Sequence, residues 1–321
     1  MRKNSTDKLF NANLGLMCVT NFLVYASVYM MLAVLPLALA DKATAIYPAF
    51  IAGMVAVGPL HAYLADALKR KHVLLFSVAG IALTMAAASH ATEAWYCWVA
   101  LLQGGCFALA TGAGTTISID ITPSGHRTGG NMFFALCGRI GMVTGMMLGV
   151  WAFTACPSAQ LFYIAVALNG IALLLAAWVY VSFRAPIGVR LFSLDRFLLA
   201  RAWLPAINVG ILAFAFGMAS VFLTNRSVEN GIVWMLPLLL LPLITPPLVK
   251  MFVKLSHHCQ RATGNMTFNL LLDIGMVGGI WTVCGMNDGN EVCKLGIGLL
   301  LLALLMFVFV TRSYYKKKRV R

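Results

Sequence analysis

The sequence predicts an all-helical polytopic membrane protein, and three observations carry that expectation. Hydrophobic residues make up 61% of the 321 residues and charged residues only 11%, too few charges to clothe a soluble globule of this length. The apolar residues fall into about ten runs, each near the 20 or so residues of helix that a bilayer requires. The cations collect in alternate connecting loops instead of spreading evenly. Because hydrocarbon offers no partner to an unpaired backbone group, each run has to be helical.

In order, the runs cover residues 14–40, 46–66, 73–91, 95–119, 131–155, 161–183, 206–224, 232–253, 266–286 and 295–312. The first is too long for a signal-peptide core and lacks a small-residue cleavage site after it, so it counts as a span. A short turn carrying Lys69, Arg70 and Lys71 joins the second to the third. The fifth contains Gly141, Gly145 and Gly149, a spacing of small residues that lets a neighbouring backbone come close. A long basic linker follows the sixth, and the seventh carries little polarity beyond Asn208 and Ser220. The eighth holds Pro237, Pro242, Pro246 and Pro247, each removing a backbone donor and bending the helix. In the ninth, Asn265, Asn269 and Asp273 recur every four residues and form one polar stripe.

With the amino terminus placed in the cytoplasm, nineteen cations gather on that side: Arg2, Lys3, Lys8, Lys69, Arg70, Lys71, Arg127, Arg184, Arg190, Arg196, Arg201, Lys250, Lys254, Arg261, Lys316, Lys317, Lys318, Arg319 and Arg321. The other side receives Lys42, Arg226 and Lys294. This positive-inside bias needs an even number of spans, with both termini cytoplasmic, and ten satisfies it. The net charge of +14 therefore belongs to membrane topology and not to nucleic-acid binding. The basic tail is expected at anionic lipid headgroups. Eight scattered cysteines without a C-x-x-C pair, and the adjacent His257 and His258, indicate no metal site and no cofactor. Paired catalytic groups at one depth are missing, so no enzyme is expected.

An internal repeat organises the chain. RTGGNMFFALCGRIGMVTG from Arg127 aligns with RATGNMTFNLLLDIGMVGG from Arg261, sharing Arg127 and Arg261, Gly130 and Gly264, Asn131 and Asn265, Phe134 and Phe268, and the run from Ile140 to Val143 with that from Ile274 to Val277. Each copy is a cytoplasmic turn leading into a span in the same direction, which indicates parallel halves related by an axis along the membrane normal.

The turn between the second and third spans, GPLHAYLADALKRKHVLL, resembles motif A of the major facilitator superfamily, Gly-x-Leu-Ala-Asp-Arg-x-Gly-Arg-Lys. Leu64, Ala65, Asp66, Arg70 and Lys71 match. Ala62, Ala67 and Lys69 depart from it, and a looser turn is expected where Lys69 replaces glycine. Together with the parallel repeat and the basic linker, the resemblance covers essentially the whole chain. It implies a transporter of the plasma or inner membrane built from two helix bundles, with Asp66, Arg70 and Lys71 latching the halves in the outward-facing state.

The family has six helices in each bundle, but Arg127 and Arg261 lie only 134 residues apart. The first four helices use about 29 residues each, so a six-helix interval would need about 175. Two helices are therefore missing. The eighth span runs straight into the loop before the ninth and corresponds to the family's helix 10, leaving helices 8 and 9 absent. The expected domains are residues 1–183 as a six-helix bundle, 184–205 as a cytoplasmic linker and 206–321 as a shortened bundle of about four helices. The exposed flank of the short bundle is expected to call for self-association or a membrane partner.

Ionisable groups inside spans are costly and invite a functional reading. Arg139 and Asp273 occupy equivalent places in the repeat with opposite charge, and a polar stripe has to face a wet cavity or the other half. Packing within their own bundles is the competing reading. By the resemblance, the fifth and ninth spans stand diagonally across the central axis, so complementarity through water or substrate is expected instead of a permanent direct bridge. Asp273 is the candidate for proton coupling, with protons as a further partner. The same resemblance places Asn21, Tyr25 and Tyr29 of the first span, Gln103 and Thr111 of the fourth, and Asn208 of the seventh around the central cavity, with Asn269 beside them on the stripe. This cavity is weakly polar and aromatic, suited to an amphipathic small-molecule substrate. The functional expectation is a secondary transporter working by alternating access. Its alternative is a transport-inactive receptor, scaffold or degenerate remnant with the same fold.

Overall fold

A computed structural model describes residues 11–39, 44–90, 93–156, 158–182, 188, 190–257, 260–286 and 288–318. Arg2, Lys3, Lys8, Lys42, Arg184, His258, Cys259, Arg319 and Arg321 lie outside the described residues. Ten helices of membrane length run over Ala12–Ala38, Ile46–Ala67, Arg70–Ala88, Trp95–Ile121, Ser124–Ala155, Gln160–Trp178, Ala200–Val228, Ile232–Leu255, Arg261–Cys284 and Gly289–Lys318. They are the ten expected spans. Several extend beyond the apolar run, the fifth by a full turn or more, because hydropathy marks only the part of a helix suited to hydrocarbon while its backbone bonding continues past it.

The chain is all-helical and falls into two groups of spans. In the first group the first span packs along the fifth and sixth, the second along the fourth, and the third against the fourth and sixth. The second group repeats part of this plan. Its seventh span packs along the ninth and tenth, just as the first packs along the fifth and sixth. Across the interface the second and fourth spans meet the ninth, and the eighth lies against the fifth while also touching the ninth. One helix thus serves both its own group and the junction. It opens as a 3₁₀ stretch, Ile232–Leu239, holding Pro237, and becomes α-helical at Leu240–Leu255 with Pro246 and Pro247 inside. The first and ninth spans are the most enclosed, and the tenth is almost wholly on the outer surface.

Backbone packing explains the repeat. A Cβ on Gly141 would stand 2.2 Å from the Phe22 carbonyl oxygen, and one on Gly145 would stand 2.2 Å from that of Ala26. At the equivalent positions of the ninth span, a Cβ on Gly275 would lie 2.4 Å from the Gly210 oxygen and one on Gly279 would lie 2.1 Å from the Phe214 oxygen. Glycine is obligatory where two helix backbones touch this closely. The same pair of close approaches therefore fixes the first span on the fifth and the seventh on the ninth.

Gly145→Ala and Gly279→Ala should each destabilise the protein by about 2 kcal/mol or more, since the added methyl meets backbone that cannot step aside. Gly170→Ala, where a Cβ meets nothing within 4 Å, should leave stability unchanged. Thermal unfolding in mild detergent measures all three, and equal midpoints would dismiss the close-packing account.

Candidate functional site

Arg139 and Asp273 meet directly. Arg139 Nη1 donates to Asp273 Oδ1 at 2.5 Å, and both side chains are 1% exposed. This corrects the expectation of contact only through water or substrate. The backbones of the fifth and ninth spans hardly approach each other, yet an extended arginine crosses the gap that a shorter side chain would leave to solvent.

Both members of the pair are held by further neighbours. Arg139 Nη2 donates to the Tyr25 hydroxyl at 3.0 Å and to Asn269 Oδ1 at 2.9 Å. Tyr25 in turn donates to Asp273 Oδ2 and Tyr29 donates to Asp273 Oδ1, both at 2.9 Å. Asn269 Nδ2 reaches the Thr115 hydroxyl at 3.4 Å. Tyr25 and Tyr29 stack with centroids 6.0 Å apart, the Phe107 ring stands edge-on to Tyr25 at 5.1 Å, and the guanidinium lies 4.6 Å over the Tyr25 ring. The network satisfies the carboxylate three times and leaves a single orphan: Arg139 Nε is buried without a hydrogen-bond partner. Removing one member of such a pair strands a buried charge, which costs about 3–5 kcal/mol.

Five of the anticipated residues, Tyr25, Tyr29, Arg139, Asn269 and Asp273, come together here. Thr111 lines the small space of about 20 Å³ beside Asp273 and Asn269, although its hydroxyl bonds to its own helix. Asn21 sits a turn from Tyr25 and donates to the Phe134 carbonyl at 3.0 Å, tying the first span to the fifth. Gln103 and Asn208 do not join the cluster. Gln103 donates to Met85 Sδ on the third span at 3.2 Å; eight residues before Thr111, it has drifted about 80° around the helix at 100° per residue. Asn208 Nδ2 donates to the Ala303 carbonyl of the tenth span at 2.8 Å, on the opposite side of the seventh. Thr115 and Phe107 were missed, and Thr115 lies one turn beyond Thr111 on the same face.

The motif A residues sit at the end of the second and third spans, on the face of the protein that also carries Arg190, Arg196, Arg201, Lys250 and Lys316. Arg70 forms an ion pair with Asp120 at the end of the fourth span. Lys71 Nζ donates to the Ala177 carbonyl at 2.7 Å, and Asp66 Oδ2 accepts from the Gly188 amide at 2.8 Å. The turn is not loosened. Lys69 adopts φ 64° and ψ 135°, a positive-φ backbone that glycine takes without strain and that costs a residue with a Cβ about 1–3 kcal/mol.

On this basic face the linker forms a strap beneath the ion pair. Its helical turn Leu194–Phe197 is held on one side by the ninth span, where the Thr263 hydroxyl donates to the Arg196 carbonyl at 3.1 Å and the Leu199 amide donates to Thr267 Oγ1 at 2.8 Å. On the other side the Ser193 amide reaches the Pro59 carbonyl at 3.4 Å. Phe197, 5% exposed, projects inward to line the same small space as Asp273 and Thr111. The phenyl ring occupies the place where Gly58 lacks a side chain, 2.0 Å from a Cβ built there.

A buried ion pair thus joins the two groups of spans, and the strap between them closes the small space beside it from one face. The profile of the Major Facilitator Superfamily matches residues 17–315, and the chain belongs to that family. The fold is similar to that of the fucose:proton symporter of E. coli (TM-score 0.68, 13% identity, covering 98% of this chain and 100% of that one). It is also similar to the human organic anion transporter TETRAN (TM-score 0.65, 16% identity, 92% and 100% covered) and a D-xylose-proton symporter (TM-score 0.62, 13% identity, 93% and 97% covered). A search of curated proteins finds no match.

Gly58→Ala should expel the Phe197 ring and Phe197→Ala should remove it, and both should open the space beneath the pair. In detergent-solubilised protein, the rate at which a water-soluble thiol reagent alkylates Thr111→Cys, in a background without other reactive cysteines, should rise about tenfold or more in each variant. An unchanged rate in both would mean that Phe197 closes nothing.

Proposed function

We propose that the chain is a secondary active transporter of a small molecule, working by alternating access of residues 1–183 against residues 206–321 about the linker at 184–205. The observation that carries this reading is the Arg139–Asp273 pair, one charge from each group, placed where the groups must separate for a substrate to enter. The space beside it holds about one water, as suits an occluded state. Opening either face has to replace the partners that Arg139 and Asp273 give each other, and a substrate or a proton supplies the replacement. With Asp273 saturated by Arg139, Tyr25 and Tyr29, a proton on the carboxylate and the closed ion pair exclude one another. Proton binding and opening are thereby coupled. The unpartnered Arg139 Nε and the aromatic wall of Tyr25, Tyr29 and Phe107 favour an amphipathic solute with a hydroxyl, carbonyl or carboxylate acceptor. That two structurally similar proteins are sugar:proton symporters supports a proton as the coupling ion.

A second reading, a receptor or scaffold that no longer transports, draws on the four-span second group. Both readings are separated by uptake in proteoliposomes, scanned over a panel of sugars, nucleosides and organic anions with and without a proton gradient. For the transporter, Asp273→Asn should lower gradient-driven accumulation at least about tenfold, equivalent to 1.4 kcal/mol in the driving step, while exchange survives. Arg139→Gln should impair both. The double variant, which leaves no charge stranded, should regain thermal stability over either single variant. Parental accumulation in both single variants would reduce the pair to a packing device.

We further assign the basic face to the cytoplasm, with both termini on that side, from the segregation of the cations. Cysteines introduced at Glu93 and Asp288 should then react with an impermeant label in intact cells. Labelling only after permeabilisation would invert or break this topology.

A further inference from the structure

The second group bears a groove on its outer surface that the buried pair does not use. It has a volume of about 710 Å³ and runs between the eighth and tenth spans, with the seventh as its floor. Pro247 and Leu248 form one wall and Leu304, Phe307 and Val308 the other, with Leu304 58% and Val308 44% exposed. The eighth and tenth spans come together near their basic ends, at Arg312–Lys318, and hardly elsewhere. From Leu300 to Lys316 the lining follows the tenth span for about 24 Å at 1.5 Å per residue, a large part of the roughly 30 Å hydrocarbon layer.

The closed end of this apolar groove is cationic. Lys250, Arg312 and Lys316 all line it, and none of them makes a hydrogen bond or ion pair with another described residue. Three like charges held together without an anion repel one another. The wall beside them is irregular: Met306–Thr311 forms a π-helical stretch, a rare conformation that tends to mark functional sites. An apolar trough at lipid depth, ending in a basic cup at the level of the headgroups, is the shape of a phospholipid. A second copy docked here by two-fold symmetry would bring six cations face to face, whereas a lipid brings its own counter-charge.

We propose that this groove binds one anionic phospholipid, with its phosphate among Lys250, Arg312 and Lys316 and an acyl chain along Leu304, Phe307 and Val308. The bound lipid covers apolar surface that the shortened second group leaves open. It is a defined site, distinct from the diffuse attraction of a basic tail to anionic membrane.

Native mass spectrometry of the full-length protein in mild detergent tests this, with equal amounts of dioleoylphosphatidylglycerol and dioleoylphosphatidylcholine supplied. One phosphatidylglycerol should be retained with at least about fivefold preference, equivalent to about 1 kcal/mol, because its net negative charge is not cancelled by a choline ammonium as in phosphatidylcholine. The triple variant Lys250→Gln, Arg312→Gln, Lys316→Gln should lose that preference, as should Leu304→Trp, which fills the trough with the charges intact. The control Lys317→Gln, Lys318→Gln, on the same turn but outside the groove, should keep it. Equal retention of both lipids by the parent would overturn the proposal, as would an equal loss in the control. So would a dimer that buries Leu304 and forms whichever lipid is present. Should the triple variant fold poorly, its Lys250→Arg, Lys316→Arg counterpart has to keep the preference if the site reads charge.

Discussion

Everything central to this molecule is arranged around one buried arginine and one buried aspartate. A lone charge at this depth is costly, so Arg139 and Asp273 can exist in the closed protein only if the two groups of spans meet at one level and in one register. The surrounding structure supplies that register. Tyr25 and Tyr29 must lie on one face of the first span, Asn269 must lie one turn from Asp273, and the first span must press hard enough on the fifth for the phenols to reach across. The glycines at 141 and 145 permit that pressure. Burial leaves the pair weak as a source of stability but effective as a specifier of arrangement, because every half-formed alternative strands a charge.

The repeat gives this pair its geometry. Positions 139 and 273 stand on equivalent turns of two copies of one helix, each flanked by equivalent glycines seated on the first and seventh spans respectively. Two copies related by an axis along the membrane normal bring equivalent residues to the same depth. Identical charges there would repel. Opposite charges turn the symmetry axis into a point of attachment, which identical halves could not provide.

Much of this was legible in the sequence. The spans followed from hydropathy, the parallel halves from the repeated Arg, Gly and Asn positions, and the polar stripe of the ninth span from its spacing of four. The failures have physical causes. Gln103 shares Thr111's helix but not its face, because small errors in phase accumulate over two turns. Asn208 is polar on a membrane helix yet satisfies a neighbouring carbonyl, and composition does not separate that role from cavity lining. The direct ion pair escaped because helix positions locate backbones, while arginine acts several ångströms away from its own. Lys69 holds the backbone of a glycine because its neighbours impose it. Phe197 gave no signal at all: one phenylalanine in a basic linker gains meaning only when Gly58 is seen to make room for it.

Because Phe197 belongs to the chain that joins the two groups, it can never diffuse away from the opening it fills. Short tethers hold such a group at an effective concentration in the millimolar range, and loops of about ten residues close in tens of nanoseconds. Return of the ring is therefore fast on any timescale of helix rearrangement. Thr263 and Thr267 fasten the strap to the ninth span, so the ring cannot leave its place unless that helix moves or those bonds break.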